Sequence, residues 1–220
     1  LNILYKKENI LHNNKNKFLN ISIICLILLT SCSTNMIDRS IKYNENKVLE
    51  EISSFDSSFI YLNSLLYVNI DKQRMYLLKK GTIYKAFKIS SSYYGTGSEA
   101  GSLKTPLGKH QIYKKIGETL PINAILKGRV WNGAIANVIT KEIDTDFDHV
   151  TSRILWLDGL EKGKNKGLGV DSRSRYIYIH GTAEEGLIGK PASDGCIRMY
   201  NAEVIELFDL VGEKDQVWIY

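Results

Sequence analysis

A chain of 220 residues suggests one main domain with an appendage, and 44% hydrophobic with 24% charged content excludes wholesale disorder. The formal net charge of +5 is concentrated near the start: Lys6, Lys7, Lys15 and Lys17 against Glu8 give +3 within residues 1–31. The rest of the chain carries only +2 and has no basic run, which argues against nucleic acid as a partner.

Residues 18–30 form an apolar run behind Lys15 and Lys17. The run is too short to cross a bilayer comfortably but fits the core of a secretory signal. It ends Leu29-Thr30-Ser31-Cys32, which resembles a bacterial lipoprotein processing box. That resemblance implies cleavage before Cys32, lipidation of its thiol and attachment to a membrane. The expected organisation is a signal peptide over 1–31, a polar tether over 32–47 and a helical segment over 48–64. The last rests on Val48, Leu49, Ile52, Phe55 and Phe59 near helical spacing. The main domain is expected over 65–220.

Within that domain, residues 66–70, 74–79 and 82–89 are β-branched or aromatic runs separated by short polar turns, the pattern of a hairpin meander. Residues 90–104 read as a Ser/Gly/Tyr loop. It lacks the Gly-Lys-Ser/Thr of a P-loop and the third glycine of a dinucleotide site, which excludes nucleotide binding on those motifs. Thr105-Pro106-Leu107-Gly108 turns into a strand over 109–114. Residues 116–151 are the least legible. Asp144, Asp146 and Asp148 beside His149 invite a calcium reading, yet the glycine and terminal glutamate of an EF-hand are missing, and a solvated loop fits better. A buried strand at 154–157 precedes a Gly/Lys-rich loop at 161–169. After residue 200, Asn201 is placed to cap a helix with Val204, Ile205, Leu207, Phe208 and Val211 on one face and Gly212 at its end. A closing strand is expected over 216–219. The sum is an α+β, predominantly β, β-sandwich-like domain with one or two helices.

The chemistry gathers at residues 176–201. An alternating strand runs into His180-Gly181-Thr182, and a loop then leads to Ser193-Asp194-Gly195-Cys196-Ile197-Arg198-Met199. A thiol near neutral pH is mostly protonated, and a histidine within reach can take its proton and later protonate a leaving amine. Gly195 allows a sharp bend and close substrate approach, and backbone N–H groups around Cys196 are placed to meet an oxyanion. Cys196 and Arg198, two residues apart on an extended segment, share a face, where a guanidinium favours the thiolate or binds a carboxylate. If Cys25 leaves with the signal and Cys32 is lipidated, Cys196 is left unpaired in an exported protein. Catalysis explains such a thiol better than packing does.

The segment resembles the L,D-transpeptidase catalytic domain family (YkuD-like) of bacterial cell-wall enzymes. The likeness extends through Thr105-Pro106-Leu107-Gly108, Arg153 to Gly159, and Asn201-Ala202-Glu203-Val204. It implies that Cys196 is the nucleophile, His180 its base, Gly195 part of the nucleophile turn, and Arg198 a substrate or oxyanion contact. Ser193, Gly181 and Thr182 are expected to line the substrate. The implied substrate is a peptidoglycan stem tetrapeptide, cleaved between the L-centre of meso-diaminopimelate and D-alanine. A second stem, a lipoprotein amine or water would resolve the thioester, water giving a carboxypeptidase. No metal or organic cofactor is implied. Many members of the family carry a histidine where this chain has Asp194, a residue expected to face outward because neighbours in an extended segment alternate sides. No carboxylate is assured as the orienter of His180, so a backbone carbonyl is expected in that place. Papain-like and NlpC-like enzymes place Cys before His, and sortases place their arginine further from the cysteine. A wall-binding lipoprotein without turnover is the rival outside enzymes.

Overall fold

A computed structural model describes residues 44–145 and 148–220, which fall into two compact units divided after Phe55. The presumed signal peptide, Cys32 and most of the polar tether lie outside the described residues. In the first unit, helix α1 spans 44–55 and so begins inside the expected tether. It stops before Phe59, where the apolar spacing had extended it. Asp56 is extended (φ −165°) and its carboxylate accepts a hydrogen bond from Ser58 N at 2.8 Å, capping the separate 3₁₀ turn Ser57–Tyr61.

The second unit is built on ten strands: β1 (Ser64–Asn69), β2 (Arg74–Lys79), β3 (Thr82–Lys88), β4 (Gly108–Ile116), β5 (Ala124–Lys127), β6 (Val130–Ile135), β7 (Val150–Gly159), β8 (Tyr178–Thr182), β9 (Ile197–Met199) and β10 (Gln216–Ile219). The meander β1–β2–β3 forms as its alternation suggests. The chain end then returns as β10, parallel to β1 and antiparallel to β4. β4 pairs with β7, β7 with β8, and β8 in parallel with β9. Beyond β9 the sheet meets its own beginning, because Ser90, just after β3, exchanges backbone hydrogen bonds with Arg198 at 2.8 and 2.9 Å.

Leu66, Val68, Met75, Leu77, Phe87, Ile89, Leu155, Leu157, Ile179, Ile197, Met199, Val217 and Ile219 therefore point into one apolar core. Opposite stretches of the curled sheet face each other across it, and helix α2 (Asn201–Leu210) adds Val204, Leu207 and Phe208. The expected α+β, predominantly β architecture is what forms. Two details of α2 differ from expectation. Asn201 is the first helical residue rather than the cap, and its side chain is drawn into the protein. The helix ends at Leu210 with Val211 as its cap and Gly212 just beyond, but Gly212 does not take the left-handed φ of a glycine stop. The carbonyls at this end are met by two cations, Lys79 Nζ on Leu210 O (2.7 Å) and Lys115 Nζ on Val211 O (2.8 Å).

Candidate active site

Alternation along β7, β8 and β9 decides where the chemistry lies. Leu155, Ile179, Ile197 and Met199 face the core, so Ile154 and Trp156, Tyr178 and His180, and Cys196 and Arg198 share the opposite face. Register sets Ile154 beside His180 and His180 beside Arg198. Cys196, just ahead of β9, sits one residue pair back, where it packs with Leu126, Ile154 and Tyr178. The imidazole and the thiol thus occupy adjacent strands on one face.

The turn that presents Cys196 is fastened from several sides. Ser193 N donates to Ser91 O and Tyr93 N to Ser193 O, both at 2.9 Å. Ser193 Oγ donates to Cys196 O (2.5 Å) and Thr105 Oγ1 to Gly195 O (3.1 Å). Gly195 has φ +115°, and a Cβ built on it would lie 3.3 Å from Lys104 O. Both features favour glycine there. Asp194 is exposed; it is two residues from Cys196, so strict alternation would put both on one face, and the left-handed Gly195 between them is what turns it away. The Cys196 N–H donates to no protein group among the described residues.

His180 is 1% exposed, and its Nδ1 lies 2.7 Å from Gly181 O. A carbonyl can only accept, so Nδ1 carries the proton and Nε2 keeps the basic lone pair. The orienter is thus a backbone carbonyl. Burial lowers the His180 pKa, opposed by the Asp148 charge and the Gly181 bond and reinforced by Arg198. The thiol contacts Tyr178 N (3.4 Å) and Tyr176 O (3.5 Å). Burial pushes it up to about 12, against the pull of the Tyr178 N–H and the charges of Arg198 and Arg175; Asp148 adds to the rise. Both groups are therefore neutral at rest, so the imidazole must act as a base during attack rather than hold a standing thiolate.

Four expectations need correction. Arg198 does not face substrate. It is 2% exposed, and its guanidinium is held by Glu184 Oε2 (2.9 Å) and Asp148 Oδ2 (2.8 Å). Ser193 and Thr182 are fully buried, with hydroxyls spent on the local backbone, on Cys196 O and Glu184 N respectively. Gly181 is also buried, and a Cβ there would come within 2.5 Å of Asn201 Oδ1 and 2.9 Å of Thr151 O. These residues build the site from behind.

Sequence reasoning missed the groups around Arg198. Glu184, 1% exposed, also accepts from Thr145 N (2.7 Å) and Thr145 Oγ1 (2.6 Å). Asp148, in a stretch whose sequence suggests a solvated acidic loop, is instead an ion-pair partner; Asp146 lies outside the described residues. Asn201 Nδ2 donates to Thr182 O (2.7 Å), while its Oδ1 accepts from the Thr151 and Ser152 hydroxyls at 2.6 Å each. On the outer side, Trp156, Tyr176 and Tyr178 form an aromatic wall. Arg175 reaches across to Gly97 O (3.2 Å) and Lys104 O (2.7 Å), on the rim of a groove lined by Gly97, Ser98, Glu99, Ser102 and Lys104. Among the described residues no cluster of His, Cys, Asp and Glu is arranged to hold a metal ion.

The family model of the L,D-transpeptidase catalytic domain (YkuD) matches residues 63–219. Two Bacillus subtilis (strain 168) proteins assigned as L,D-transpeptidases resemble short stretches. YqjB is 52% identical over 52 residues (23% of this chain, 28% of that protein), and YkuD is 49% identical over 49 residues (22% and 30%). The matched stretches span under a third of either relative. Among solved structures, an L,D-transpeptidase from Mycobacterium smegmatis aligns over 72% of this chain and 58% of its own, at 14% identity and a TM-score of 0.45. With its β-rich fold and the matched domain covering most of its length, the chain belongs to the YkuD family of L,D-transpeptidase catalytic domains.

Proposed function

We propose that this protein is a peptidoglycan L,D-transpeptidase with Cys196 as nucleophile. The observation that carries the reading is the shared face of His180 on β8 and Cys196 immediately before its parallel neighbour β9, with the His180 tautomer fixed by Gly181 O. The thiol leaves the Tyr176 carbonyl and gives its proton to His180 Nε2 as sulfur attacks the carbonyl of the stem's penultimate residue. The unpartnered Cys196 N–H is placed for the oxyanion. Collapse of the tetrahedral intermediate breaks the C–N bond, and the imidazolium returns its proton to the departing D-alanine amine, leaving a thioester. An amine of a second stem, deprotonated by His180, then displaces the sulfur. Water in its place gives an L,D-carboxypeptidase, and a lipoprotein amine gives attachment of that protein to the wall. Arg198 acts here as a positioning residue that ties β9 to Glu184, just past β8, and to Asp148.

The reading includes export, with Cys32 as a lipid anchor holding the domain at the cell envelope. Incubating the protein with disaccharide-tetrapeptide tests the activity. The wild type releases D-alanine, Cys196→Ala does not, and Asp194→Ala, altered at an exposed position, keeps most of the rate. Release without the thiol, or binding to sacculi with no release by the wild type, refutes the mechanism.

A further inference from the structure

The guanidinium expected at the substrate is not Arg198, and the structure offers another in its place. β5 and β6 are joined by a two-residue turn, Gly128-Arg129, with φ +57° and +70°. The left-handed region costs a non-glycine residue energy, so an arginine held there points to a functional constraint. The turn carries Arg129 back over the aromatic wall. Its Cζ lies 4.8 Å from the ring centres of both Trp156 and Tyr176, and Nη1 donates to Tyr178 Oη at 3.2 Å. Tyr176 and Tyr178 are also the two residues whose backbone brackets the Cys196 sulfur. Among the described residues no carboxylate lies within ion-pair distance of Arg129, whereas Arg198 has two. Arg129 is a half-buried, aromatic-stacked guanidinium with unused donors, held on the side chains of the two tyrosines whose backbone touches the nucleophile.

We propose that Arg129 binds the free α-carboxylate of the leaving amino acid and so restricts the enzyme to donor peptides that end at the residue expelled. This deepens the transpeptidase reading and rests on it. The carboxylate of the departing D-amino acid sits one carbon beyond the scissile nitrogen, within reach of a group beside the thiol. A planar guanidinium presents paired donors matched to a carboxylate, and stacking on two rings orients it at low entropic cost.

The test compares kcat/KM of the full chain on a stem tetrapeptide ending in D-alanine and on the same peptide as its C-terminal D-alaninamide. A charge-assisted contact of this kind predicts a wild-type preference for the carboxylate of about 10–100-fold. Arg129→Gln brings the ratio near one, and Arg129→Lys restores part of it. A wild type that turns over both alike overturns this inference and leaves the transpeptidase reading standing. So does an Arg129→Gln protein that loses rate equally on both peptides, since that marks a purely structural turn. A wild type inert on both overturns the transpeptidase reading, and this inference with it.

Discussion

Replacing Arg198 with methionine separates the two roles that a buried arginine beside a nucleophile could have. Its side chain is 3% exposed and lies between Glu184, whose side chain is 1% exposed, and Asp148 at 27%. Methionine fills much of the volume but leaves Glu184 without its cation in a low-dielectric interior. Breaking one partner of a buried pair typically costs about 3–5 kcal/mol. Exposure of Asp148 lets water take over part of its loss, so the lower half of that range is expected. For a domain of this size, about 2–4 °C of melting temperature is lost per kcal/mol, which places Arg198→Met roughly 6–16 °C below the wild type. Thermal unfolding followed by circular dichroism reads the shift directly. Adding Glu184→Gln removes the stranded charge and recovers a good part of the loss. A variant that melts within about 2 °C of the wild type yet shows a large rise in KM would mean that Arg198 meets substrate, contrary to the buried geometry.

His110 provides an independent check on pH. It is fully buried between Gly108 O (3.0 Å) and Ser172 Oγ (2.9 Å), and burial holds its pKa down to about 4 from an ordinary 6.5. The unfolded chain therefore binds a proton first, so stability from this group is present above pH 6.5 and is lost as pH falls toward 4. The loss amounts to about 3 kcal/mol, read as a falling urea midpoint that His110→Gln flattens; an unchanged slope in the variant would refute it. Gly195→Ala forces a side chain into a left-handed backbone against Lys104 O, and is expected to cost about 1–3 kcal/mol together with most of the D-alanine release. A variant of wild-type stability and rate would show that the turn needs no glycine.

How much of this was legible in the sequence depends on how far each residue's partners lie along the chain. The meander, the 154–157 strand, the α2 face and the closing strand announce themselves through local alternation or helical spacing. Alternation also places Cys196 and Arg198 on one side. Asp194 is exposed for a different reason, because the left-handed Gly195 breaks the extended run between it and Cys196. Nor can alternation say what else occupies the side that Cys196 and Arg198 share. Glu184 is 14 residues from Arg198, and Asp148 comes from a loop that reads as solvated. Local pattern therefore aims Arg198 at substrate, whereas two distant carboxylates claim it. Asn201 looks like a helix cap for the same reason. β6 was missed because all six of its residues are exposed, which leaves no buried face to produce a period. Gly-Arg is also an unusual pair for a turn with two positive φ angles. The residue that the further inference depends on lies in that illegible stretch.

The central claim is that the Cys196 sulfur carries the acyl group between donor and acceptor. Intact-mass spectrometry of the protein mixed with donor tetrapeptide in the absence of an amine acceptor tests it most directly. The account predicts a covalent adduct of the stem less D-alanine, mapping to the peptide that contains Cys196 and forming far more slowly in His180→Ala. D-alanine release with no adduct at Cys196, or an adduct on another residue, would contradict it.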